Sequence, residues 1–165
     1  MQGKSTNKMK PIYTFALIAL FLFSNAQSGE IQYQPVKGYA FVGDDQDMCQ
    51  LFYIIHSEQE WNTLFKPYPG HYVKEITNID WQKYNAIATV KTGKDAWRLE
   101  AKRLELDEGE FIFEYEAQKT DEGLGWKNAT PLVIIAPKKN CRAVQFVENG
   151  RMIKKLHNFS SKRDF

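Results

Sequence analysis

The side chains best suited to metal chemistry lie close together near residue 58. His56, Glu58 and Glu60 occupy alternate positions, a spacing that raises the hypothesis of a metal site. First-row metal sites usually have three or four ligands that include His or Cys. Both glutamates, however, fall in the first turn of a predicted helix, where capping and the helix dipole account for acidic residues. We therefore expect no metal and no cofactor here.

Two further groups of carboxylates could do chemistry. Asp44, Asp45 and Asp47 could bind calcium, but neither the glycine nor the distant glutamate of a calcium loop accompanies them, so a solvated turn is favoured. Glu114 and Glu116 lie on one strand face about 7 Å apart, a spacing that a carboxylate-dependent hydrolase could use. Any polar sheet face produces the same spacing, and we predict no catalytic residue there.

The two cysteines, Cys49 and Cys141, are the remaining reactive groups. An even count in an exported protein favours a disulfide between them. A catalytic thiol would need a nearby histidine in a nucleophile motif, and no such motif surrounds His56, His71 or His157. The pattern predicts a Cys49–Cys141 disulfide.

The first 26 residues resemble a secretory signal peptide. Lys4, Lys8 and Lys10 precede an apolar run over 12–23, which ends in the small residues around Ala26. The run is shorter than the ~20 apolar residues that a membrane span needs. We predict cleavage after residue 26 and an exported bacterial protein, periplasmic or secreted, with no membrane span.

The chain after the leader is nearly neutral, with 19 basic against 20 acidic side chains. This balance does not favour a nucleic-acid partner. We expect a loosely ordered arm over 27–38, one globular domain over 39–157 and a flexible tail over 158–165.

One helix and several strands are predicted within that domain. Ser57 and Glu60 form a capping box, after which Trp61 begins an apolar stripe on one short helix. The strand over 50–56 is apolar almost throughout, which predicts a central position covered on both faces. A hairpin over 96–117 follows, with a bulge near Arg103.

The later elements complete the predicted fold. The segment over 131–136 is a continuous apolar strand, and Asn149-Gly150 predicts a type I′ turn between the strands over 141–147 and 152–156. The fold class is α+β: a single antiparallel β-sheet of hairpins with one short capped helix on a face.

Several short motifs resemble one protein family, the C-terminal domain of PrcB-type protease complex subunits. The resemblance covers about 49–147 and is carried by the motifs Glu60-Trp61, Asp80-Trp81, Thr92-Gly93, Thr130-Pro131 and Pro137-Lys138. After its Thr-Gly the family tends to have another glycine and an aromatic residue, whereas this chain has Lys94-Asp95-Ala96-Trp97. The resemblance implies an exported, non-catalytic domain, in some members associated with a protease.

A candidate contact surface follows from the strand order. If consecutive strands alternate in direction, the connections 92–95, 118–130 and 148–150 lie at one end of the sheet. Trp126 follows two glycines in a long loop, where an aromatic ring beside a cation suits a partner contact. The alternative is that Trp126 folds back over the sheet edge. The predicted partner-binding residues are Lys94, Asp95, Trp126, Lys127 and Asn149.

The sequence therefore favours a non-enzymatic domain that acts through protein contact, with an exported protease as the partner class that the resemblance implies. The first alternative is a small-ligand-binding domain in which Phe111, Phe113 and Tyr115 form one wall of an aromatic pocket. The second is the carboxylate-dependent hydrolase.

Overall fold

The computed structural model describes residues 29–44, 49–68 and 75–157. The predicted leader, the predicted tail, and Asp45 and Asp47 lie outside the described residues. In chain order the elements are β1 (Gly29–Glu30), β2 (Gln34–Pro35), β3 (Tyr39–Phe41), β4 (Gln50–Ile55), α1 (Glu58–Leu64), β5 (Phe65–Pro67), β6 (Tyr84–Gly93), β7 (Ala96–Asp107), β8 (Glu110–Asp121), β9 (Asn128–Pro137), β10 (Ala143–Glu148) and β11 (Arg151–His157).

The described strands form three sheets. An outer sheet has the order β1-β7-β8-β10-β11, and a middle sheet has the order β2-β9-β6-β4. The third sheet is the β3–β5 pair, which together with α1 makes up a helix layer. The α+β expectation is confirmed in part for the described residues, which are mostly strand, mostly antiparallel, and include one helix. The expectation of a single antiparallel sheet is wrong.

The outer sheet is mixed because β8 and β10 run parallel. After β8 the chain leaves the outer sheet, forms β9 in the middle sheet and returns in β10. Since β9 runs back along the molecule, β10 enters the outer sheet in the same direction as β8. A strand pattern alone does not show that alternate strands belong to different sheets.

The outer and middle sheets enclose the first core. Phe113 and Phe146 of the outer sheet are fully buried, and they pack with Ile87 and Ile134 of the middle sheet. The rings of Phe52 and Phe146 lie 4.9 Å apart between centroids and join the two sheets directly. Along the first half of β8, inward apolar residues alternate with more exposed ones, as is typical of strands with one solvated face.

The other face of the middle sheet carries the second core, under the helix layer. Trp61 of α1 is 3% exposed and stacks on Phe65 at 4.3 Å between ring centroids. Ala88 and Val90 of β6 lie beneath them and are fully buried. Because both faces of the middle sheet are covered, the residues of β6 from Ala86 to Thr92 are all buried, including the polar ones.

The structure corrects the predicted position of β4. Leu51 and Ile55 belong to the helix-side core, while Phe52 and Ile54 pack against the core between the sheets. The prediction that both faces are covered is therefore confirmed. The strand nevertheless lies at the edge of the middle sheet and not at its centre. A strand that is apolar throughout indicates only that both of its faces are buried. In a three-layer protein an edge strand of the middle sheet is covered on both faces just as a central strand is.

The helix begins at the predicted capping box. The Ser57 Oγ accepts a 3.2 Å hydrogen bond from the Glu60 N–H, and a Glu60 carboxylate oxygen accepts a 2.7 Å bond from the His56 N–H. Glu60 is therefore engaged in local backbone capping, as its position in the first turn predicts. Within the described residues no helix is long and apolar enough to cross a membrane.

Two tight turns and a bulge set the register of the outer sheet. Glu108 and Gly109 have φ of 47° and 77°, and Asn149 and Gly150 have φ of 51° and 77°, so both hairpins have positive φ at the two central positions. The register of β7 against β8 shifts between Ala101 and Arg103, which confirms the predicted bulge. The N-terminal arm adds the short edge strands β1 and β2 to the two large sheets.

Candidate functional site

Two connections meet at one end of the molecule. The turn between β6 and β7 contains Lys94 and Asp95, and the connection between β8 and β9 covers residues 122–127. The Leu124 N–H donates a 2.7 Å hydrogen bond to the Lys94 carbonyl oxygen, and the Gly123 N–H donates a 3.3 Å bond to the Asp95 carboxylate. We call this surface, formed by residues 94–95 and 122–127, the loop end.

Trp126 projects from the loop end into solvent, with 67% of its surface exposed. The alternative expectation, that this ring folds back over the sheet edge, is therefore wrong. Lys127 beside it is exposed as well. An exposed tryptophan on a loop anchored by backbone hydrogen bonds is a typical element of a protein contact surface.

A salt bridge connects the loop end to the last residues of β8. Asp95 lies 2.9 Å from the Lys119 ammonium, which also reaches Glu122 at 3.2 Å. The hydrogen bond from Lys119, together with the one from the Gly123 N–H, holds the pKa of Asp95 below its ordinary value. The same Asp95 contact, with help from Glu122, raises the pKa of Lys119. Both groups are therefore charged over the physiological range.

Asn149 lies apart from the loop end. Its side chain bonds to Ala117, and β8 continues for four more residues to Asp121, a distance of about 13 Å along a strand. The Asn149 side-chain amide donates to the Ala117 carbonyl oxygen and accepts from the Ala117 N–H, both at 3.0 Å. Its polar groups are thus used within the domain.

A cluster of polar side chains between the sheets was not predicted. Lys91 is only 8% exposed, and its ammonium lies 2.8 Å from Glu148 and 2.9 Å from the Gln50 carbonyl oxygen. The Gln50 amide nitrogen lies 2.8 Å from the other Glu148 oxygen. We call Gln50, Thr89, Lys91, Tyr115 and Glu148 the intersheet polar cluster.

The remaining members surround the Gln50 amide. Its nitrogen lies 3.1 Å from the Thr89 hydroxyl and 2.9 Å from the Tyr115 hydroxyl, and Tyr115 also donates to Glu148 at 3.0 Å. The Trp97 ring covers the Lys91 ammonium at 4.6 Å from its centroid, a cation–π contact. Each polar group of the cluster therefore has a partner, as burial between two sheets requires.

Burial and charge act oppositely on the titratable groups of the cluster. Burial by itself would raise the pKa of Glu148, but the hydrogen bonds from Lys91 and Gln50 outweigh it and place the pKa below its ordinary value. Burial raises the pKa of Tyr115 strongly, so its hydroxyl is protonated and available as a donor. The cluster thus contains a buried ion pair next to a neutral amide.

One signal in the sequence could have located this cluster. Lys91 continues a buried strand in which all residues from Ala86 to Val90 are buried, and a lysine there requires a charged partner. The partner could not be identified, because Glu148 lies in the other sheet, 57 residues later.

The predicted disulfide does not form. Cys49 lies beside Thr92, whose N–H donates to its carbonyl oxygen, at the end of the middle sheet near the polar cluster. Cys141 precedes β10 and lies seven positions before Glu148, the β10 residue that reaches Gln50, a span of about 20 Å. A disulfide needs Cα atoms within about 7 Å, so opposite ends of the sandwich cannot be joined. Burial raises the pKa of the Cys141 thiol.

The other sequence candidates have ordinary surroundings. Glu114 pairs with Arg103 and Glu116 pairs with Lys102, each at 3.0 Å, on the solvated face of the outer sheet. Across residues 29–44, 49–68 and 75–157, no group of three or more His, Cys, Asp or Glu side chains is placed to hold a metal ion.

The aromatic face predicted as a pocket wall is part of the core. Phe111, Phe113 and Tyr115 are at most 4% exposed and pack between the two sheets, on the side away from the helix. These rings therefore leave no space for a ligand.

A different aromatic groove lies beside the helix. It has a volume of about 280 Å³ and is lined by Tyr39, Glu58, Trp61, Asn62, Pro67, Asn78, Ile79 and Trp81. Its walls combine aromatic rings with a carboxylate and two amides.

Comparisons of the chain with protein-family models, with curated proteins and with solved structures found no match. The resemblance to the PrcB-type domain therefore depends on its short motifs alone, and the function is inferred from geometry.

Proposed function

We propose that this protein is an exported, non-catalytic protein-interaction domain whose partner contacts the loop end. The exposure of Trp126 carries this proposal, since 67% of its surface is open to solvent on an anchored loop. A large rigid ring of this kind loses little side-chain entropy on binding and is typical of binding hot spots. The hydrogen bonds of Leu124 and Gly123 to the neighbouring turn reduce the cost of ordering the loop on binding.

The class of partner follows from the resemblance and from the leader. The short motifs point to an exported protease as the partner, and the leader points to the periplasm or the extracellular space as the compartment. The loop end carries charges of both signs: Lys94 and Lys127 are positive, and Asp95 and Glu122 are negative. This mixture favours a protein surface over a membrane or a nucleic acid, each of which would select a single sign.

Affinity capture with the tagged protein from envelope and secreted fractions tests this proposal. We expect one stoichiometric partner, identified by mass spectrometry, and at least about tenfold weaker capture by Trp126→Ala. The matched control is Tyr68→Ala, because Tyr68 is 69% exposed and follows β5 in the helix layer. Equal capture by the two variants, or a large loss of thermal stability in Trp126→Ala, would contradict the proposal.

The groove beside the helix supports a second candidate function, the binding of a small ligand. Tyr39, Trp61 and Trp81 provide apolar contacts there, and Glu58 provides an anionic hydrogen-bond acceptor. A few polar groups on an aromatic wall are typical of small-molecule sites. Ligand screening by tryptophan fluorescence tests this function: Trp81→Ala should abolish a binding signal that Trp126→Ala leaves unchanged.

A further inference from the structure

Lys91 and Gln50 are an unusual cross-strand pair. They lie directly opposite each other on β6 and β4, and the Lys91 Nζ is 2.9 Å from the Gln50 carbonyl oxygen. Glu148 reaches both side chains at once, with one carboxylate oxygen 2.8 Å from the Lys91 Nζ and the other 2.8 Å from the Gln50 amide nitrogen. An amine, a carboxamide and a bridging carboxylate are the groups needed for amide exchange.

We propose that these three residues form an intramolecular isopeptide bond between Lys91 and Gln50. In this reaction the Lys91 Nζ attacks the Gln50 Cδ and forms a new C–N bond, while the bond from Cδ to Nε2 breaks. The former side-chain nitrogen leaves as ammonia. One carboxamide and one amine become one substituted amide and one ammonia, so the reaction needs no oxidant, metal or cosubstrate.

Glu148 is positioned to move the protons. Its first oxygen takes a proton from the Lys91 ammonium along their 2.8 Å hydrogen bond, which leaves a neutral amine as the nucleophile. Its second oxygen lies against the leaving nitrogen and returns a proton there, as a general acid. The Lys91 nitrogen loses a second proton as the amide forms, and the released ammonia takes up this proton and departs as ammonium. Glu148 therefore ends the reaction as a carboxylate, as it began.

The surroundings favour this reaction over hydrolysis. Lys91 is 8% exposed and Thr89 is fully buried, so little water reaches the amide. The hydroxyls of Thr89 and Tyr115 hold the amide nitrogen within 3.1 Å and 2.9 Å. Because the amine and the carbonyl are held side by side, they react as parts of one molecule and need not meet by diffusion. Well-oriented groups of this kind have effective molarities of about 10⁵ M or more.

The chain contains an internal control of the same residue types. On the outer face of the outer sheet, Glu110 accepts hydrogen bonds from Lys155 and Gln145, each at 2.8 Å. Lys155 is exposed, in contrast to Lys91. Water can therefore solvate the Lys155 ammonium, and we expect no bond between Lys155 and Gln145.

Protease digestion of the purified full chain followed by tandem mass spectrometry tests the proposal. We expect a branched peptide in which the side chains of Gln50 and Lys91 are joined with the loss of one ammonia, and no cleavage by trypsin after Lys91. Intact mass is insufficient, because an N-terminal Gln27 left by leader removal would lose ammonia by cyclisation too. A wild-type protein that unfolds cooperatively but yields separate Gln50 and Lys91 peptides after long incubation overturns the proposal.

Three variants test the role of each group. Lys91→Arg and Gln50→Met should yield no branched peptide, and Glu148→Gln should reduce it at least about tenfold, since proton transfer contributes factors of roughly 10² or more. Each variant is first checked for cooperative unfolding. Full formation of the bond in a folded Glu148→Gln variant, or formation of a Lys155–Gln145 bond, would overturn the proposed mechanism.

Discussion

Leu124 and Lys94 are joined by a 2.7 Å backbone hydrogen bond, which fastens the long connection between β8 and β9 to the tight turn between β6 and β7. This bond places an exposed tryptophan on a supported loop. A loop held in this way presents its side chains in one arrangement, which reduces the entropy lost when a partner binds.

Asp95 gives a direct test of that support. Its carboxylate accepts from the Gly123 N–H and pairs with Lys119, so Asp95→Ala removes both contacts. We expect several-fold faster amide hydrogen exchange over 122–127 and weaker partner capture. The free energy of unfolding should change little, because the pair is solvent-exposed and screened by water. Asp107→Ala, at the opposite end of the same hairpin, is the control and should leave exchange over 122–127 unaltered.

Asn149 should act through stability and not through partner contact. Asn149→Gly keeps the positive φ but removes the side-chain bonds to Ala117, and should cost about 1–2 kcal/mol. Asn149→Ala adds backbone strain at φ 51° and should cost more than the glycine variant. Urea unfolding measures the difference. Equal free energies of unfolding for wild type and both variants would show that the bridge to β8 contributes nothing.

Glu110 should contribute to stability in a pH-dependent way. Hydrogen bonds from Lys155 and then Gln145 lower its pKa in the folded protein. The contribution is therefore present above the unfolded-state pKa of about 4.3 and is lost as the pH falls through the lower folded-state pKa. Urea unfolding of Glu110→Gln across the acidic range should show a shallower loss of stability than wild type. Glu108→Gln, in the adjacent exposed turn, controls for the change in net charge; identical acid profiles for the two variants would contradict this assignment.

Phe146 tests the two-sheet core. It is fully buried and its ring contacts Phe52 of the middle sheet and Phe113 of its own sheet. Phe146→Ala should lower the free energy of unfolding by about 3–5 kcal/mol, through lost burial and the cavity left behind. Ile153→Ala on β11, where the side chain is 38% exposed, should change it by about 0.5 kcal/mol or less. A small effect at Phe146 would indicate that the sheets do not pack as described.

Local features of the fold were predictable where neighbouring residues decide them. The helix starts at Ser57 because the hydroxyl and the Glu60 carboxylate satisfy backbone N–H groups within one turn. The Asn149-Gly150 turn follows from the tolerance of these residues for positive φ. The bulge near Arg103 was visible as a slip in the alternation of apolar residues along β7.

The sequence alone determined the long strands of the hairpins, where the helix is capped and which loop carries a tryptophan next to a cation. These depend on side-chain periodicity and short-range hydrogen bonds. The sequence missed β5, whose first residue, Phe65, was expected on the helix. Only the tertiary structure decided that β9 leaves the outer sheet, that the two cysteines lie at opposite ends and that Lys91 meets Glu148 and Gln50. Each of these depends on which strands share a sheet and which sheets face each other. Contacts between residues so far apart in the chain are set by the packing of the two cores and not by the local pattern of residues.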